Sequence, residues 1–287
     1  GLFIETGATV QIRYSGIRNG FTRPFGDNDP EVSYTGPLAV LVNRTSASAS
    51  EIFAGAIQDY QRGLVVGSQT FGKGTVQEII PMDYGQVKLT RSKFYRISGE
   101  STQHRGVIPD ITFPDFYDAY DDIGESSLDG ALPWDTVRPV EYRAYHPIQA
   151  AVPELRSLHE ERAKTSPDFN YLLGQIERTR ELREREEISL NEEVVKQERE
   201  DARKEEFEAE NMRRALKGLP LEEWVEDEDI DEDSSDSLAS SDSEIVEPEE
   251  NEEETELDED DPLILESGRI LADYINLNGR RVSSVSN

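Results

Sequence analysis

The stretch Leu38–Gln77, LAVLVNRTSASASEIFAGAIQDYQRGLVVGSQTFGKGTVQ, decides the fold. It opens on a β-branched run, LAVLVN, and carries two more, LVVG (64–67) and the start of TVQEIIP (75–81). Between the first two lies SASEIFAGAIQDYQRG, residues 48–63. Its apolar residues Ile52, Phe53, Ala56, Ile57 and Tyr60 recur at helical spacing, and Gly63 ends it. A strand, a sharp turn, a helix and another strand predict an α/β layer. ATVQIR (8–13) and QVKLTRSKFYRI (86–97) add strands on either side.

Working outward, charge divides the chain. Residues 1–114 hold 11 basic and 10 acidic side chains, whereas 115–287 hold 19 and 51. Residues 222–261 alone contain 23 acids and no base, so the net charge of −31 belongs to one tract and not to the whole fold. So dense a like-charged stretch cannot bury enough apolar surface to offset its chain entropy, and disorder is expected there. The predicted organisation has four parts: a mixed α/β region over 1–114, a mainly helical domain over 115–219, an acidic disordered linker over 220–262, and a terminal amphipathic helix (LILESGRILADYI) with its tail over 263–287. In the second part, Ser189 with Glu192 predicts a capping box opening a long helix, and Lys217, Gly218 and Pro220 supply its stop. Trp134 and Tyr142 precede the helices and are expected to anchor them.

Composition also excludes. With 287 residues, about two domains are expected. No apolar run approaches the roughly 20 residues of a membrane-spanning helix. The acidic balance repels phosphate backbones, so nucleic acid is not an expected partner. The absence of cysteine removes disulfides, thiolate metal sites and a cysteine nucleophile, and suits an oxidising compartment. The run DEDIDEDSSDS (227–237) has the acids of a calcium loop without its central glycine or ligand spacing. Neither a metal nor a cofactor is expected. Asn43-Arg44-Thr45 fits a glycosylation sequon too short to carry weight.

Three features carry chemistry. Ser46, Ser48 and Ser50 stand between a strand and a helix, where orphan backbone N–H groups and the helix dipole favour negative charge on an attacked carbonyl oxygen. The competing use of such serines is the helix N-cap. Lys73 lies between two glycines in TFGKGT, which allows close approach by other groups. Burial there would favour the neutral amine, a base able to take a serine proton. Gln77, four residues on, would share its face if the segment is extended, and an amide can orient a lysine but cannot act as a base. The rival is a Ser-His-Asp system of Ser48 with His104 and Asp110, although STQHRG looks like a polar turn.

Taken together, LVNRTSASASEIFAGAIQDYQRGLVVGSQTFGKGTVQ resembles the core of the carboxy-terminal processing, or tail-specific, proteases. KFYRISGESTQHRGVIPDI resembles the segment that follows their active site, and ALPWD with the helices after it resembles the C-terminal domain of the long periplasmic subgroup. The resemblance implies a Ser-Lys endopeptidase core with a partial mixed sheet. Ser48 would be the nucleophile, Lys73 the base, Gln77 the orienting group and the Ala49 N–H an oxyanion donor. It implies protein substrates with apolar C-termini, a helical-repeat lipoprotein adaptor on the helical domain, and a periplasmic location. The family's PDZ domain and Gly-rich oxyanion loop have no counterpart here, so the chain reads as a C-terminal piece, inactive alone.

Overall fold

The computed structural model describes residues 1–14, 21–120, 122–185, 187–224 and 260–285, with side chains to 279. The expected disorder of the acidic tract, and the calcium-like run within it, fall outside these residues apart from the tract's ends. Residues 1–186 with 260–287 form one compact body and 187–259 a second.

Two sheets build the first body. β3 (Ala39–Val42), α1 (Ala49–Asp59) and β4 (Leu64–Gly67) make a strand–helix–strand unit. β3 pairs parallel with β4 from Ala39↔Leu64 to Val42↔Gly67, and β7 (Ile111–Thr112) pairs parallel on the far side of β4. The other sheet is antiparallel, in the order β2 (Phe21–Asp27), β1 (Gly7–Tyr14), β6 (Gln86–Tyr95), β5 (Thr75–Pro81). The predicted strands near 75–81 and 86–97 are thus a hairpin that joins β1 and β2 in the antiparallel sheet, inserted in sequence between β4 and β7.

The parallel sheet is covered on both faces, as buried parallel strands require. Side chains alternate along β4, so Leu64 and Val66 face one way and Val65 the other. Val65 packs with Val42, Val107 and Ala54 of α1. Leu64 and Val66 join Ile111 and Phe113, Leu155 of α2 (Val152–Thr165), Phe169 of α3 (Pro167–Arg183) and Ile270, Tyr274 and Leu277 of α5 (Pro262–Val285). The terminal amphipathic helix therefore belongs to the core of the first body. A buried ionic cluster pins it: His159 Nδ1 lies 3.0 Å from Glu266 Oε1, and Arg162 donates to the same oxygen at 2.9 Å and to Asp273 at 2.6 Å.

The two aromatic anchors find different partners. The Arg105 guanidinium stacks 3.9 Å from the Trp134 ring centroid, and Tyr142 meets Tyr60 of the α1 end edge-on at 5.6 Å.

In the second body, α4 (Glu192–Lys217) corrects the predicted capping box. Its N-cap is Asn191, whose side chain accepts from the Glu193 N–H at 3.0 Å. Ser189 lies two residues outside and accepts from the Asn191 N–H instead. Asparagine caps as well as serine does, and the nearer of the two takes the first turn. Gly218 ends the helix at φ 70°. The chain then folds back, with Glu222 bonded to Asn211 and Arg214 and Trp224 against Phe207.

Candidate active site

The turn from β3 into α1 is built by Asn43. Its Oδ1 accepts from the Thr45 and Ser46 amides and from both their hydroxyls. Ser46 is thereby committed to the turn, and the sequon asparagine to its neighbours. Ser50 is exposed on the first helical turn. Ser48 is the N-cap, half-buried, with φ 58° and ψ −111°. A side chain rarely takes this glycine-favouring conformation, which costs on the order of 1–3 kcal/mol and persists only where the surroundings impose it. Ala49 is the first helical residue, so its N–H is one of the orphans of the first turn, and it is exposed.

What imposes the Ser48 conformation is Glu51, a fully buried carboxylate absent from the sequence-based site. Its Oε2 accepts from the Ser48 N–H at 2.8 Å and from the Lys73 N–H at 2.9 Å. Its Oε1 accepts from the Thr70 hydroxyl at 2.6 Å and the Gly72 N–H at 2.8 Å. Burial pushes this carboxyl above its ordinary value, and the four donors work the other way. No hydrogen bond joins the Ser48 hydroxyl to the Lys73 amine among the described residues. Their backbones are held together by one shared oxygen, so the two amide nitrogens can be no farther apart than those two bonds laid end to end. A sequence signal for Glu51 existed: an acid three residues after a serine N-cap.

Lys73 is half-buried in a loop pressed against the 102–104 segment. The flanking glycines are required there. A Cβ on Gly74 would lie 2.6 Å from Gln103 N, and one on Gly72, at φ +94°, 2.8 Å from the His104 carbonyl carbon. Gln77 is exposed on β5. A bulge between Val76 and Gln77 interrupts the two-residue alternation, and β5 begins only at Thr75, so the premise that Lys73 and Gln77 share a strand face is not met.

His104 is not the free surface residue of a polar turn. Its N–H donates to Gly72 O at 2.9 Å, its φ is 69°, and Nε2 is buried with no hydrogen-bond partner among the described residues. Asp110 is committed elsewhere: Oδ2 accepts from Val65 N–H at 2.9 Å, and Oδ1 from the Gln58 and Gln149 amides. A Ser-His-Asp arrangement therefore lacks its acid. Among the described residues no group of three or more His, Asp or Glu is placed to hold a metal, and no helix is long and apolar enough to cross a membrane.

Comparison with known proteins matches residues 1–113 to Peptidase family S41 and residues 119–276 to the C-terminal domain of tail specific protease. The tail-specific protease of Haemophilus influenzae is 40% identical over 218 residues, 71% of this chain and 31% of that protein. The carboxy-terminal-processing protease of Bartonella bacilliformis is 49% identical over 136 residues, 45% of this chain and 31% of that protein. Among solved structures, a photosystem II D1 C-terminal processing protease aligns at 38% identity over 39% of this chain and 28% of its own, with a TM-score of 0.33. The chain thus spans 31% of the length of these two curated relatives. With both halves matched in order, the chain belongs to the tail-specific proteases of peptidase family S41.

Proposed function

We propose that the complete protein is a serine endopeptidase of the Ser-Lys type, acting on proteins with apolar C-terminal tails. The observation that carries this reading is the single Glu51 oxygen bonded to the amides of both Ser48 and Lys73. The neutral Lys73 amine takes the Ser48 proton, and the hydroxyl oxygen attacks the peptide carbonyl. The Ala49 N–H receives the developing oxyanion at the mouth of α1. The leaving amine departs with a proton, and Lys73 then activates water to release the acyl group. The role of Gln77 in orienting the lysine rests on the family resemblance alone, since the two do not share a strand face. The reading requires the lysine stem to reach the hydroxyl by side-chain rotation, in keeping with the loosening common in ligand-free sites.

The reading extends to a periplasmic enzyme whose helical region docks a helical-repeat lipoprotein adaptor, a partner supported by the family resemblance alone.

The test uses the complete protein with a fluorogenic peptide ending in apolar residues. Ser48→Ala and Lys73→Ala are expected to abolish turnover, and Lys73→Arg to fail equally, because a guanidinium does not release its proton at neutral pH. Turnover retained by either lysine variant would remove Lys73 as the base.

A further inference from the structure

The segment Ile123–Glu125 reaches both arms of the site from outside the S41 region, within the residues matched to the C-terminal domain. Toward the lysine arm, the Glu125 N–H donates to Phe71 O at 2.9 Å. Its side chain accepts from Gln103 Nε2 at 2.8 Å, and Gln103 Oε1 accepts in turn from the Gly74 N–H at 2.8 Å. Gln103 is fully buried, and these two bonds fix which way its amide faces. Phe71 and Gly74, on either side of Lys73 in the loop, are thus held by contacts independent of Glu51.

Toward the serine arm, Arg44 stands four residues before Ser48. It donates to Ile123 O through Nε at 3.0 Å and Nη2 at 2.6 Å, and to Thr70 O at 3.2 Å. Gly124 itself sits at φ +119°, where a side chain is strained, and a Cβ there would lie 2.6 Å from Arg44 Nη2 and 3.2 Å from Phe71 O. The segment is itself anchored by α3, whose Arg183 donates to Asp122 at 3.0 Å and lies over the Tyr120 ring at 4.2 Å.

From this geometry we infer that Glu125 is a positioning residue for the proposed dyad: through Gln103 it sets the Lys73 loop, so the C-terminal domain completes a site whose reacting groups all lie in the S41 region. The inference rests on the Ser-Lys reading. With the carboxylate gone, the Gln103 amide is free to flip and present its NH2 to the Gly74 N–H, and the loop loses its register with Ser48.

The experiment measures the rate at which a fluorophosphonate labels Ser48 in the complete protein, as a function of pH, alongside melting temperature. Glu125→Ala is expected to slow labelling about tenfold, the equivalent of one misplaced hydrogen bond at the reacting groups. The pH profile should shift as well, because the environment of the base has changed. Glu125→Gln offers Gln103 an amide oxygen in the same place and should restore both rate and profile. In a Gln103→Ala/Glu125→Ala pair the losses should not add, since both break one relay. If Glu125→Ala does not fold, Glu125→Asp decides, because its shorter carboxylate keeps the charge and cannot reach Gln103. Parental rate and profile in the folded variant, a Gln variant as slow as the Ala variant, or additive losses would each overturn the inference while leaving the dyad standing. Labelling of the parent that is absent, or indifferent to Lys73→Ala, would overturn the Ser-Lys reading and this inference with it.

Discussion

Glu51 shows how much one side chain can organise. All four of its bonds come from donors, so it works as an acceptor on both oxygens. Glu51→Gln must turn an NH2 group toward two of them, whichever way the amide faces. Leaving such buried donors unmatched costs about 1–3 kcal/mol. The expected result is a lower melting temperature together with slower Ser48 labelling, whereas a purely structural glutamate would change only the first. The wild-type pH dependence follows from the raised carboxyl. The native state takes up a proton before the unfolded chain does, so this group's contribution to stability is full below its ordinary value of 4.5 and is lost as the pH rises through the raised one. Comparing urea titrations of wild type and Glu51→Gln from mildly acidic to neutral pH isolates that slope. The sequence displayed Glu51 openly but only as a helix residue. Its burial and its bonds to residues 70, 72 and 73 depend on a loop that returns from beyond β4, which no local pattern encodes.

At the level of elements, periodicity served well where a run was regular and failed where neighbours decided. α1 and the hairpin strands were legible because their apolar spacing is uninterrupted. β2, FTRPFGD, was not, because proline within a run argues against a strand. The structure resolves the conflict by making β2 the outer strand of its sheet, where Pro24, opposite Gln11, owes no hydrogen bond to a further neighbour. α5 was legible as an amphipathic helix, but its docking place was not, since the apolar stripe does not say which sheet it covers. The ionic cluster that pins α5 yields a prediction. Burial works against ionisation of Glu266, and the bonds from Arg162 and His159 prevail, holding its carboxyl below the ordinary 4.5. Its contribution to stability is present above 4.5 and lost as the pH falls through the lowered value. Hydrogen exchange should therefore show α5 amides losing protection as the protein is acidified below that point, because Arg162 and Arg269 lose the Glu266 charge while Arg162 keeps only Asp273. In Glu266→Gln the same amides should be less protected at neutral pH and insensitive to this acidification.

At the largest scale, the decisive fact is that one short strand, β4, serves both faces of the first body's parallel sheet. Leu64 and Val66 touch α2, α3 and α5, and Val65 touches α1, so these helices are built on opposite faces of a single sheet. Truncating Leu64, which has no exposed surface, to alanine should cost about 2–5 kcal/mol. Chemical denaturation should show one transition moving for both faces together. Separate transitions for α1 and α5 would contradict the shared core. The broad α/β class could be seen in the sequence, and Ser48 and Lys73 could be singled out as candidates, because they lie within one forty-residue stretch. The inward return of residues 123–125 and 260–277 could not, since each is separated by long intervals from the groups it meets.

The four donors on Glu51 are drawn from the helix mouth and from a loop that is in place only once β4 has found its neighbours. A nascent or partly unravelled chain therefore carries its serine and lysine as two unrelated surface side chains with nothing to introduce them. On the proposed Ser-Lys reading, harm to bystanders is then prevented by architecture: the blade has no edge until the handle is finished.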